Sequence, residues 1–162
     1  METLKDVYLD QLKDLYSATT QAKGATRDLA GAAGSDTLRD ALERGVEGIE
    51  DGRDALRSLI RSHGADPEGE HCKGMEGLVR EARLHAIEED FGTPATRDAM
   101  IISQYQRMAH YAIAGYGCVV AFAEELELAE DAATLRGMLD AAHSGDSTMT
   151  EIAMEKVNMR AA

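Results

Sequence analysis

Three side chains have the type and spacing to touch a metal ion: His143 and Asp146, at i and i+3, and His110 in the segment before them. Imidazole nitrogen and carboxylate oxygen both bind iron, manganese and zinc, and an i, i+3 pair lies on one helix face. Such a set forms the edge of a site, because a tetrahedral zinc site already needs about four donors. His71 and Cys72 are adjacent but lack a second pair at zinc-ligand spacing, and Cys118 shares no motif with Cys72. Both thiols are expected to be free, Cys118 as a small core residue in an apolar helical run and Cys72 in a polar loop open to oxidation. His63, His71 and His85 fall at surface or crossover positions. No glycine-rich phosphate loop follows a strand, and no nucleophile, base and acid stand in a readable order.

The elements that must position these residues are helices. The chain has two prolines, two phenylalanines and no tryptophan, with few β-branched or aromatic runs of the kind strands prefer. Its 162 residues and 44% hydrophobic content suit one compact domain, 1–162. Thirty acidic residues against 17 basic ones give a net charge of −13, a field that repels phosphate backbones and anionic lipid surfaces. Nucleic acid and membrane are therefore not expected partners. No apolar run approaches the ~18–20 residues needed to cross a bilayer and no signal-peptide pattern opens the chain, so a cytoplasmic location is expected.

Glycine, proline and polar clusters punctuate the chain into four long helices and one short one. The long ones run over about Glu2–Ala33, Asp36–His63, Ala95–Leu126 and Glu130–Asn158. The short one, about Lys73–Asp90, lies in a long crossover from Gly64 to Pro94. Short turns at Gly34-Ser35-Asp36 and Leu128-Ala129 make each flanking pair an antiparallel hairpin. Two tight hairpins joined by one long crossover form the ferritin-like four-helix bundle, so the fold class is all-α.

Aligning the four inward stripes brings Thr19, Gly48, Gly52, Ala109, Ala112, Ala142 and Gly145 to one central level, and every one of them is small. Gly45, Gly48 and Gly52 within one helix sacrifice on the order of 2–3 kcal/mol of helix preference, which tertiary structure has to offset. Two arrangements can do so. In one, the helices approach closely and Tyr105, Tyr116, Met108, Met138 and Met149 fill the remaining volume. In the other, a central cavity holds water or a small ligand. The filled core is favoured.

Four segments carry a family resemblance: LKDLYSATTQA from Leu12, the crossover run Cys72-Lys-Gly-Met75-Glu76-Gly77-Leu78, His110-Tyr111-Ala112-Ile113-Ala114-Gly115-Tyr116-Gly117, and LRGMLDAAHSGDSTMTEIA from Leu135. Together they span nearly the whole chain and resemble the YciE/YciF family of ferritin-like stress-associated proteins. The resemblance implies a homodimer and, in typical members, an iron or manganese pair held by a glutamate after DLYSA, a Glu-Thr pair, a Glu-His-Tyr-Glu run and a Glu-Glu-Lys run. Here those places hold Thr19, Gly48-Ile49, Ala109-His110-Tyr111-Ala112 and Ala141-Ala142-His143. A dinuclear centre wants about four carboxylates plus nitrogen ligands, and two divalent ions would go unneutralised in such a core. The expected function is thus a non-catalytic binding or structural role without a cofactor. One alternative is a ferroxidase or peroxide-consuming oxidase using iron or manganese on His110, His143 and Asp146. Another is a small-molecule binder whose central layer forms a pocket.

Overall fold

The computed structural model describes all residues 1–162 and contains only helices and connections. Helix α1 spans Leu4–Ala32, α2 Asp36–Ser62, α3 Lys73–Arg83, α4 Pro94–Glu125 and α5 Ala129–Ile152. One π-helical turn, Leu84–Glu88, extends α3, and a second, Ala153–Val157, leads to a last turn at Asn158–Ala161. The two expected hairpins are α1–α2 and α4–α5, and no helix is long and apolar enough to cross a membrane.

Helix starts follow from local chemistry. Thr3 and Asp6 satisfy each other's orphan backbone donors in a capping box, and Thr93 does the same with Thr96, with Pro94 at the first helical position where no N–H is needed. At the end of α4, Glu127 takes a left-handed conformation with φ 57°. Its N–H donates to the Glu124 carbonyl, and the Leu128 N–H reaches back to that of Ala123. This is a Schellman closure with glutamate where glycine is usual. The acidic cluster here opposes the helix dipole, and part of that conflict is relieved because Glu124 pairs with Arg136 on α5.

Two carboxylates, one buried and one partly buried, fix how the hairpins meet. At one end Asp98, 3% exposed, accepts from the Gly34 N–H at 2.8 Å and the Ser35 N–H at 3.0 Å, anchoring the α1–α2 turn on the first turns of α4. At the other end Asp131 accepts from the Tyr8 hydroxyl at 2.8 Å and lies 2.6 Å from His63 Nε2. Lys5 Nζ donates to His63 Nδ1 at 2.8 Å, which assigns the remaining proton to Nε2. Helices α1, α2 and α5 converge there. His63, expected to be incidental, is therefore part of a half-buried knot, a role no local signal shows because its partners are 58 and 68 residues away.

The crossover helix α3 lies over the seam between α1 and α4, with Arg83 donating to Asp28 at 2.9 Å. Nothing comparable covers the opposite seam, where α2 and α5 meet sparsely.

Two predictions follow from these ends. Asp98→Ala leaves two backbone donors unpaired and should lower urea-unfolding stability by about 2–3 kcal/mol. Glu127→Gly relieves the left-handed conformation and should raise stability by about 1 kcal/mol, read as a higher urea midpoint.

Candidate functional site

At mid-height, where the four helices present their smallest residues, the bundle is hollow. A cavity of about 540 Å³ lies there, lined by Thr19, Gly48, Gly52, Ala109, Ala112, Ala142 and Gly145 among others. Its floor is buried, formed by Leu15, Ala18 and Ala22 of α1 with Met108 and Tyr116 of α4. Its rim belongs to α2 and α5, where Arg44, Gly48, Asp51, Gly137, Ala141 and Ser144 are exposed. The cavity therefore opens to solvent through the α2–α5 seam, the one that α3 leaves uncovered.

The favoured filled core is thus corrected. Tyr105, Tyr116, Met108, Met138 and Met149 all line the cavity without filling it. A Cβ at Gly48 would meet nothing within 4 Å, and one at Gly52 would make ordinary contacts of 3.6 Å with Met138 Cε and Tyr116 Oη. Close helix approach is not what these two glycines serve. The physical reason is that Asp98 ties the turn before α2 to α4 and Asp131 ties the end of α2 to α5, while α2 and α5 carry too little side chain between them to close the seam. Gly45 and Gly145 differ. A Cβ there would lie 3.4 Å and 3.1 Å from the Tyr105 hydroxyl, so both make room for that one group.

The candidate ligands do not assemble. His110 Nε2 lies 3.2 Å from Asp146 Oδ1, but the His110 side chain is 65% exposed and Asp146 also accepts from Gln106 Nε2 at 3.0 Å. His143 is exposed on the outer side of α5 and joins neither. No group of three or more His, Cys, Asp or Glu side chains stands in an arrangement that could hold a metal ion. Thr19, at the position matching a family glutamate, donates its hydroxyl proton to the Leu15 carbonyl.

Both cysteines are free, as expected, but their expected locations are reversed. Cys118 is exposed, whereas Cys72 is 1% exposed and caps α3 by accepting from the Met75 N–H. The Cys72 sulfur lies 2.9 Å from the Tyr111 hydroxyl, which is itself 2.9 Å from Asp14 Oδ2. Burial pushes the Cys72 thiol up, only partly opposed by its hydrogen bonds to Tyr111 and the Met75 N–H. A thiol held protonated in this way is a weak nucleophile. The signal that misled was the polarity of the loop before Cys72, which says nothing of where the residue lands once α3 docks.

What the sequence reading missed was the direction of two phenol hydroxyls. Tyr105 and Tyr116, treated as volume fillers, are 8% and 4% exposed, with their oxygens at the cavity. Burial, then the charge of Asp146, raises the Tyr105 pKa. Burial pushes Tyr116 up to about 12, with the Thr19 hydroxyl acting in the opposite sense. Both phenols are neutral at physiological pH. The charges at the rim, Arg44 and Asp51, are of opposite sign.

Comparison with known proteins now decides the family. A model described as a domain of unknown function, DUF892, matches residues 3–162. The chain belongs to the DUF892 family. It is similar to Protein YciF of Escherichia coli K12, with 30% identity over 162 residues, covering 99% of this chain and 96% of that one. The crystal structure of the E. coli stress protein YciF superposes with a TM-score of 0.88, covering 98% of this chain and 99% of that one. YcfI of Rhodopseudomonas palustris gives 0.86 at 27% identity, covering 93% and 94%. The YciF resemblance and the all-α bundle read from the sequence are both established by these matches.

For the DUF892 bundle described here, Gly48→Ala should raise stability by about 0.5–1 kcal/mol through helix preference alone, and Gly52→Ala should be neutral or better. Gly74→Ala is the contrasting case, since its Cβ would lie 2.8 Å from the Tyr111 ring that Cys72 and Asp14 hold in place. A loss of about 1–3 kcal/mol is expected there. Urea unfolding of the three variants checks both directions.

Proposed function

We propose that this chain is a stress-associated YciF-type protein that works without a dinuclear metal centre and instead holds a small, mostly apolar molecule in its central cavity, without catalysing a reaction. The observation that carries this reading is that the cavity stands at the level where the family resemblance calls for metal ligands, and that its walls there are Gly, Ala and Thr. Removing a carboxylate shell takes away donors and leaves volume. A volume of about 540 Å³ with an apolar floor falls within the usual ~300–1,000 Å³ of small-molecule sites. The reduced-site oxidase gains no support from the geometry, since only His110 and Asp146 of its three ligands meet.

Two measurements test the proposal together. Protein loaded anaerobically with Fe(II) or Mn(II) and desalted should retain negligible metal, and near-stoichiometric occupancy by two ions per chain would overturn the metal-free reading. The neutral dye N-phenyl-1-naphthylamine should bind with enhanced fluorescence. Ala112→Leu or Ala142→Leu, each adding bulk to the lining, should weaken dye binding while the helical circular dichroism is retained. Absence of binding by the parent protein would sink the ligand reading.

A further inference from the structure

Tyr105 is 8% exposed, and its hydroxyl, facing Gly45 and Gly145, makes no hydrogen bond within the protein. The space it occupies is specific. Glycines on two different helices, Gly45 and Gly145, face its oxygen, and alanine at either would bring a methyl carbon to 3.4 Å or 3.1 Å. The carboxylate of Asp146 lies nearby without accepting from the hydroxyl, Gln106 and His110 both approaching Asp146 through Oδ1. The Tyr105 oxygen is open to the cavity, so this donor, set in a mostly apolar wall, is free to pair with an acceptor supplied from the cavity.

Tyr116 repeats the arrangement three turns further along α4. Its hydroxyl faces Gly52 and the Met138 methyl, with Thr19 as its polar neighbour. The two hydroxyls face Gly45 and Gly52, seven residues apart on α2, which corresponds to about 10 Å along the axis. The two phenols therefore mark the two ends of one chamber whose middle, around Gly48, Ala109 and Ala112, offers no free donor side chain, the Thr19 hydroxyl being spent on the Leu15 carbonyl. Arg44 is the one basic residue in the lining, and Asp51 shares the exposed rim with it. With a net charge of −13, nothing here would recruit an anion.

We infer that the cavity takes a neutral, elongated, mostly apolar molecule carrying a carbonyl oxygen that accepts a hydrogen bond from Tyr105, with a second weak acceptor toward Tyr116. This rests on the proposed function, since it names the chemistry of the ligand which that reading puts in the cavity. Tyr105 then sets polarity and orientation, while the Gly, Ala and Met surface supplies contact. A hydrocarbon of the same shape would leave the phenol unpaired and bind less selectively.

Prodan is a suitable probe, a neutral naphthalene with a propionyl ketone at one end and a dimethylamino group at the other, whose emission shifts to the red when the ketone accepts a hydrogen bond. N-phenyl-1-naphthylamine, which has no carbonyl, is its control. Tyr105→Phe should weaken prodan binding about three- to tenfold, the loss expected for one neutral hydrogen bond. It should also shift bound prodan emission to the blue and leave the control dye unchanged. Tyr116→Phe should have a smaller effect in the same direction, and Gly145→Ala, which crowds the Tyr105 hydroxyl, should reproduce part of the Tyr105→Phe loss. Equal weakening of both dyes by Tyr105→Phe would make the tyrosine a packing element and overturn the inference. No effect on either dye would overturn it too, while the cavity reading stood. Failure of the parent to bind either dye would remove both readings, and binding of the anionic dye anilinonaphthalene sulfonate as tightly as prodan would overturn the neutral-ligand assignment.

Discussion

The architecture depends on two carboxylates that sit where the hairpins meet. Asp98 ties the α1–α2 turn to α4, and Asp131 gathers Tyr8 and His63 at the opposite end. Asp98, taken out of water, receives a backbone donor on each oxygen, and the partly buried Asp131 gathers two side-chain donors on one oxygen, so each positions its neighbours. With both ends fixed and α3 laid along one side, the spacing of the helices at mid-height is set by the ends and not by the residues found there. That separation lets the central layer be made of Gly, Ala and Thr without the bundle collapsing onto itself.

The chamber is consequently a product of mismatch between a rigid frame and undersized contents. In most cores a deficit of side-chain volume is met by relaxation or leaves a costly void. Here the deficit lies along the seam between α2 and α5, so the missing volume is open to the surroundings rather than sealed. The apolar floor and the neutral phenols then give that open space a defined chemical character.

The sequence made the frame legible because its signals are local. Gly34-Ser35 and Leu128-Ala129 mark turns, Thr93-Pro94 marks a helix start, and 3.6-residue stripes mark inward faces. The helix bounds read from it lie within a residue or two of those found for α1, α2 and α4. The small layer was also visible by register. What could not be read was anything that depends on two elements at once. The stripe places Gly48 inward, yet its exposure depends on how far α5 stands away. Cys72 looks solvated until α3 docks against Tyr111, and Cys118 looks buried because a uniformly apolar stretch of α4 hides which face is covered. Volume-based reasoning treated Tyr105 as a filler because the chemical importance of its hydroxyl comes from the absence of a partner.

The uncovered seam has a kinetic consequence. Exposed Gly48, Gly137, Ala141 and Ser144 carry no bulk that must swing aside, and no loop or crossover segment crosses the opening. Entry is therefore a matter of diffusion and orientation rather than of waiting for a rare open state. Association should be rapid and only weakly temperature-dependent, and differences between guests should be expressed in how long each one stays.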